Sequence, residues 1–327
     1  MKKLIFVFIF SCLLTSAYSK DNDELKLLKN IKNLSDIGSI SDIGCDLCGC
    51  YMGIDPNYHL NLVGFRFHTF KFVTEAHTTE SLIQTDHPDH TGTQSTEYYN
   101  NLELFGRYYI TPKIKVLFSI PFSRNNIDGK TLNGFGDAKL LAQYQIYNTD
   151  MNGKTKYWQR IFLGGGVKLP TGVYNKSLTY GVVEPHFQPG TGAFDFIFTG
   201  SYISKLLEYD LGWSSDVVYT INTENKNDYR FANRFNITSA FFYEADAGNF
   251  AFLPHAGIYF ETAKEDKYKG EIAEGSGGNV LFATGGLDIY FKEFSLDLTL
   301  QLPVSENLIG DQPENRFRIY TGLGYSF

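Results

Sequence analysis

Tryptophan occurs twice, methionine three times and cysteine four times in the 327-residue chain. No stretch beyond the first twenty residues approaches the ~20 apolar residues that a spanning helix requires, and mean hydropathy is −0.21. If the chain crosses a membrane, it crosses with strands. The net charge of −7 contains no basic block, which argues against a nucleic acid as partner. What is abundant points the same way as what is scarce. With 28 Phe, 22 Tyr and 31 Gly, the composition suits strands, tight turns and aromatic interfacial belts better than a helical core.

Lys2 and Lys3, the apolar run Leu4 to Leu14 and Ala17-Tyr18-Ser19 before Lys20 read as a secretory signal peptide over 1–19. A lipoprotein reading would place cleavage before Cys12, but Ile9-Phe10-Ser11 matches a lipobox poorly and the apolar run continues past it. From 20 to 58 the expectation is a periplasmic segment. It begins with a short amphipathic helix carrying Leu25, Leu28, Ile31 and Leu34 at helical spacing, with Asn22 or Asp23 as cap. Ser35-Asp36-Ile37-Gly38 is then rewritten as Ser41-Asp42-Ile43-Gly44.

The remainder, 59–327, predicts an all-β fold, a transmembrane antiparallel up-and-down β-barrel of about 12 strands. Its closing strand is the clearest. Phe317, Ile319, Thr321, Leu323, Tyr325 and Phe327 alternate with Arg316, Arg318, Tyr320, Gly322, Gly324 and Ser326. An apolar face, a wet face and a terminal aromatic residue resemble the signal read by the barrel-assembly machinery of a Gram-negative outer membrane. A soluble sandwich edge would show the same alternation, so the count of strands decides.

Eleven further alternating segments precede it, beginning near His59, Asn101, Lys113, Gly136, Trp158, Phe194, Leu211, Tyr229, Phe250, Leu281 and Phe294. One of them is taken to run from Tyr229 to Tyr243, with Phe231 outward and Arg230 inward. Connections after the even-numbered strands are short or moderate, whereas those near 73–97 and 170–192 are long, the polarity of an outer-membrane barrel. The inner face is expected to collect Glu103, Arg107, Lys115, Lys139, Arg160, Arg230, Arg234 and Arg316, with His68 and His255 also facing the lumen. The outer face meets membrane lipid.

Cys45, Cys48 and Cys50 form a C-x-x-C-x-C cluster beside Gly49 that holds every cysteine after the signal segment. Three thiols within six residues suit one soft cation, Cu or Zn, with Met52 or His59 as a further ligand. A disulfide leaving one free thiol, or a docking point for a partner, would use the same residues. In the first long loop, His87 and His90 flank Pro88-Asp89 after Asp86 and His77. A divalent metal could sit there, although a solvated loop has the same composition.

Cys45-Asp46-Leu47-Cys48-Gly49-Cys50-Tyr51-Met52-Gly53, followed by Leu62-Val63-Gly64-Phe65-Arg66-Phe67, resembles the start of Bacteroidetes outer-membrane transporter-like proteins. Gly134-Phe135-Gly136-Asp137-Ala138-Lys139-Leu140 and Gln188-Pro189-Gly190-Thr191-Gly192-Ala193-Phe194-Asp195 resemble the MetA-pathway phenol-degradation barrel family. The resemblance implies a barrel and a hydrophobic or aromatic solute; the cysteine cluster suggests a soft metal ion instead. The sequence therefore supports a channel or transporter for a small solute, with the N-terminal segment plugging the lumen or lying beneath it. A closed structural or partner-docking barrel is the second reading. A lipid hydrolase is the third, and no recognisable nucleophile motif supports it.

Overall fold

A computed structural model describes residues 60–74, 95–149, 156–177 and 183–327. Twelve strands close into one antiparallel barrel. They are β1 (Leu62–Thr74), β2 (Ser95–Thr111), β3 (Ile114–Ile127), β4 (Lys139–Asn148), β5 (Tyr157–Lys168), β6 (Asp195–Leu206), β7 (Leu211–Ile221), β8 (Arg234–Tyr243), β9 (Phe250–Ala263), β10 (Gly278–Phe291), β11 (Phe294–Leu308) and β12 (Glu314–Ser326). Each pairs with its sequence neighbours, and β1 pairs with β12, from Leu62↔Ser326 to Val73↔Glu314, to close the ring. Short strands at Lys130–Phe135 and Ala245–Ala247 extend the wall beside β3 and β9.

The five connections on the side of the chain ends are short: 112–113, 149–156, 207–210, 244–249 and 292–293. Asn61 and Phe327 exchange backbone hydrogen bonds on that side. The opposite rim carries the longer loops, including 169–194, 222–233 and 264–277. Turn chemistry follows the sequence. Asp128 and Gly129, at φ 46° and 82°, join Ile127 to Lys130 in the two-residue hairpin that needs positive φ at both positions.

The wall's outer face is apolar. Phe65, Tyr108, Leu140, Leu163, Phe198, Trp213, Phe241, Leu298 and Leu323 all stand exposed on it, a surface that water would penalise by about 25 cal/mol for each Å². Trp213 Nε1–H donates to Ser239 Oγ at 2.8 Å, so even its polar edge is partnered. Tyr147, Tyr157, Tyr209, Tyr243, Phe250, Phe294, Tyr325 and Phe327 ring the side of the short turns, where an interfacial aromatic belt belongs. This is a lipid-facing barrel.

Four expectations change. Tyr229–Arg230 is not part of β8 but pairs with Lys267–Tyr268 in a small sheet on the long-loop rim. Phe231 is accordingly buried, and Arg230 Nε–H bonds the Asn222 carbonyl at 3.0 Å instead of lining the lumen. Phe231, Ala232 and Asn233 separate the two, and ahead of the short strand Asn225 Oδ1 accepts from the Asn227 and Tyr229 N–H groups. Arg316 also leaves the inner face. It is the extra residue of a β-bulge opposite Lys71/Phe72, which re-aims the side chain to the rim and a 3.3 Å ion pair with Glu314. Signal segment, amphipathic helix and cysteine cluster lie outside the described residues.

Candidate functional site

The lumen has two halves with opposite character. On the side of the chain ends the inner face is charged: Arg66, Arg107, Lys115, Arg160, Glu103, Asp288 and His255 are buried there. Glu103 accepts from Ser119 Oγ and lies 3.6 Å from Arg66 and 3.5 Å from His68. Arg66 also stacks over Phe105 at 4.2 Å, and Lys115 over Phe162 at 3.9 Å. His255 Nε2 meets Thr299 Oγ1 at 3.2 Å. The expected inward residues Glu103, Arg107, Lys115, Lys139, Arg160, His68 and His255 are thus buried on the lumen side.

Toward the long loops the pattern inverts. Phe70, Phe72, Tyr99, Leu141, Ile197, Val218, Tyr259, Val280, Phe282 and Tyr320 point inward and form one cluster, while Lys71, Asn100 and Arg124 take the outer face. Into this cluster folds the described stretch 183–194 of the loop 169–194. A 3₁₀ turn there, Pro185–Phe187, puts Phe187 fully buried against Tyr99, with ring centroids 6.0 Å apart. Asn125 Nδ2–H holds the Phe187 carbonyl at 2.9 Å. The loop is braced internally by Gln188, whose side chain accepts from the Lys176 N–H and donates to the Lys176 carbonyl.

Two anchors fix the loop. At its base Asp137 accepts from the Gly172 N–H at 2.9 Å and from both the N–H and hydroxyl of Thr191 at 2.7 Å. Gly172 and Gly190 cross so closely that a Cβ on Gly190 would fall 2.6 Å from the Gly172 Cα, which is why both are glycine. Lys168 lies 2.5 Å from Asp195 and 3.9 Å from Asp137, so one cation holds both carboxylates. Asp195 in turn accepts from the Thr223 N–H. The motifs around Gly134–Leu140 and Gln188–Asp195 are therefore two sides of one joint.

At the tip, His186 Nε2, Tyr229 OH and Asp266 Oδ2 form a triangle of 2.8–3.0 Å, and Asp266 Oδ1 takes the Ala232 N–H at 2.7 Å. Three loops meet there. Burial pushes the Asp266 carboxyl upward, but its hydrogen bond and attraction to His186, with those from Ala232 and Tyr229, outweigh this and hold it below the ordinary carboxylate range. Burial pushes the neighbouring Glu184 above it. Between loop and wall remains a cavity of about 20 Å³ lined by His68, Asn101, Glu103, Pro121, Ser123, Asp137, Lys139 and Pro189, room for about one water.

No family model and no curated protein matches the chain. Among solved structures it is similar to an outer membrane channel from Pseudomonas putida F1, with a TM-score of 0.59 at 15% identity over 84% of this chain and 100% of that one. The fold is that of an outer-membrane barrel. The NanC porin (TM-score 0.40, 9% identity, 82% and 100% covered) and LpxR from Salmonella typhimurium (0.41, 11%, 80% and 100%) are similar too loosely to bear on function.

Cys45, Cys48, Cys50, His87 and His90 lie outside the described residues. Among the described residues no group of three His, Cys, Asp or Glu side chains is placed to hold a metal ion. Sequence reasoning missed the His186–Tyr229–Asp266 triangle because its members come from three loops without periodicity. It placed Arg318 on the wet face of the closing strand without a partner, whereas its guanidinium meets the Glu261 carboxylate at 2.7 Å in full burial.

Proposed function

We propose that this chain is an outer-membrane channel for a small solute, with loop 169–194 as its internal stopper. The observation that carries the reading is the combination in one lumen: a charged half, which water and polar groups can wet, and a half closed by a loop anchored through hydrogen bonds instead of covalently. A purely structural barrel would gain nothing from burying Arg66, Glu103, Lys115 and Arg160 on its inner face, because replacing such charges with apolar groups is often neutral or stabilising. The buried histidines support a channel over a lipid hydrolase. His68, His186 and His255 face the interior, away from the lipid interface where such an enzyme needs its base.

The solute is a hydrophobic or aromatic compound on the resemblance to phenol-degradation barrels, and the cluster of Phe70, Phe72, Tyr99 and Phe282 in the upper lumen agrees with that. The alternative is a soft metal ion handled at Cys45, Cys48 and Cys50, tested by the metal content of the purified protein beside its triple serine variant. Planar-bilayer recording of the full chain tests the channel itself. Discrete conductance steps are expected. A silent bilayer, with no solute uptake in cells, would favour the second reading, a closed structural barrel whose cysteine segment docks a partner, which the sealed upper lumen also fits.

A further inference from the structure

The outer surface of the wall changes composition within one rung of its ladders. Across β1, β2, β3 and the short strand Lys130–Phe135, the register aligns Phe67, Leu102, Phe122 and Phe135 in one outward row. All four are exposed, and the Phe122 and Phe135 rings meet edge to face at 5.4 Å. This row is the top of the lipid-facing band in that sector. The next outward row, two residues or about 7 Å further along the strands, is Thr69, Asn100, Arg124 and Asn133. The one above it is Lys71, Tyr98, Asn126 and Thr131.

These two rows hold two cations, three amides, three hydroxyls and no carboxylate. A wall that only needed wetting would use acids as readily, since the chain has 36 of them against 29 basic residues. Lys71 Nζ lies over the Tyr98 ring at 5.6 Å, and among the described residues neither Lys71 nor Arg124 is ion-paired. The acids at the patch's upper edge are engaged. Asp128, in the turn above, accepts from the Ser95 hydroxyl and the Thr96 N–H, and Glu314 pairs with Arg316 at 3.3 Å. The feature belongs to one sector: β9, β10 and β11 contain no lysine or arginine, and their upper outward positions include Phe260, Leu281, Leu302 and Val304. Beside the patch, the short strand borders an open groove of about 800 Å³ lined by Lys130, Thr131, Asn133, Tyr174, Asn175 and Lys176. Lys176 Nζ donates to the Asn133 carbonyl at 2.8 Å, which sets a third cation at the patch's edge.

We propose that this sector of the wall is a binding site for a phosphorylated glycolipid of the outer leaflet. The three tiers follow the order of such a molecule. Its acyl chains lie against Phe67, Leu102, Phe122 and Phe135. Its phosphate, at the junction of chains and sugar, is held by Arg124 and Lys71, because guanidinium and ammonium groups give phosphate its strong, charge-assisted hydrogen bonds. Its sugar hydroxyls meet Asn126, Thr131 and Asn133 and extend toward the groove. The long loops put this end of the barrel at the cell surface, and cations at a membrane surface add attraction to anionic lipid. The assignment is independent of whether the lumen conducts.

The test is a lipid titration of the full chain in detergent micelles, followed by native mass spectrometry. The probes are lipid A carrying its phosphates, the same lipid A dephosphorylated, and phosphatidylglycerol. One lipid A per chain is expected, with the dephosphorylated form bound about tenfold more weakly or worse. The double variant Lys71→Gln with Arg124→Gln should lose affinity by a similar factor, and Lys71→Arg with Arg124→Lys should keep it. Removing two exposed rim charges instead, Lys226→Gln with Lys267→Gln, should change nothing. These side chains stand on the surface, so the urea midpoint should hold in every variant, and the comparison of lipids on the wild-type chain needs no substitution at all. Equal affinity for the dephosphorylated lipid, an unweakened Lys71→Gln/Arg124→Gln variant, or an equal loss in the rim variant overturns the site. Phosphatidylglycerol bound as tightly as lipid A overturns the glycolipid assignment.

Discussion

Along a single strand such as β1 the barrel changes its inside for its outside. In the lower part Phe65 and Phe67 face out while Arg66 and His68 face in. Four residues later Phe70 and Phe72 face in while Thr69 and Lys71 face out. The backbone does not slip between the two, since the register against β2 is continuous from Leu62↔Arg107 to Thr74↔Ser95. The solvent changes instead. Around the lower half the surroundings are lipid and the interior is polar; above it the wall projects into water and packs a core as a soluble protein does. Strand length agrees, because spanning takes 9–11 residues and β1, β2, β10 and β11 have 13–17. On the proposed channel reading, the lower half lets a solute through and the upper half holds the lumen shut.

Breaking the upper half should cost most. Glu261 binds Arg318 through two guanidinium nitrogens and takes the Tyr259 hydroxyl. Glu261→Ala strands a fully buried cation and should destabilise the barrel by about 3–5 kcal/mol, read as a lowered urea midpoint in detergent. Removing the anchor at the loop's base comes next. Asp137→Ala deletes the acceptor of three hydrogen bonds, and leaving such donors unpaired costs about 1–3 kcal/mol each. Noisier, longer openings in bilayer recordings are expected, with the urea midpoint nearly unmoved because the loop and not the wall is loosened.

The lower half should answer differently. Glu103→Gln removes the carboxylate beside Arg66 and His68, so the reversal potential under a salt gradient should shift toward anions while openings stay as rare as in the wild type. The smallest effect is at the tip. The Asp266 pKa is depressed, so its contribution is complete above the unfolded carboxylate value and is lost only as pH falls through a point below it. Loop protection from proteolysis should therefore persist at pH 5–7, disappear only in stronger acid, and lose that acid step in Asp266→Asn.

The comparison also shows how far the sequence could be read. Alternation, strand number and turn polarity were legible because a lipid-facing wall imposes a period of two on every strand. The upper half was less so. Phe70 and Phe72 keep the period but on the opposite parity, a signal interpretable only once the solvent boundary is placed near Thr69. The assignment of Phe231 failed because a loop aromatic beside a strand imitates one more outward position. The stopper carries no periodicity at all. Its trace in the sequence is the glycines at 134, 136 and 190 around Asp137, read as family motifs and explained only when Gly190 is seen to cross Gly172, which no motif included.

The most direct measurement is single-channel recording of the wild-type chain beside a variant in which residues 174–189 are replaced by two glycines. The Gly190 N–H already donates to the Val173 carbonyl at 2.9 Å, so the ends of the excised segment meet without straining the wall. The account predicts small, infrequent steps for the wild type and a steadily conducting pore for the variant. Equal, closed traces from both, with the variant folded and inserted, would contradict it.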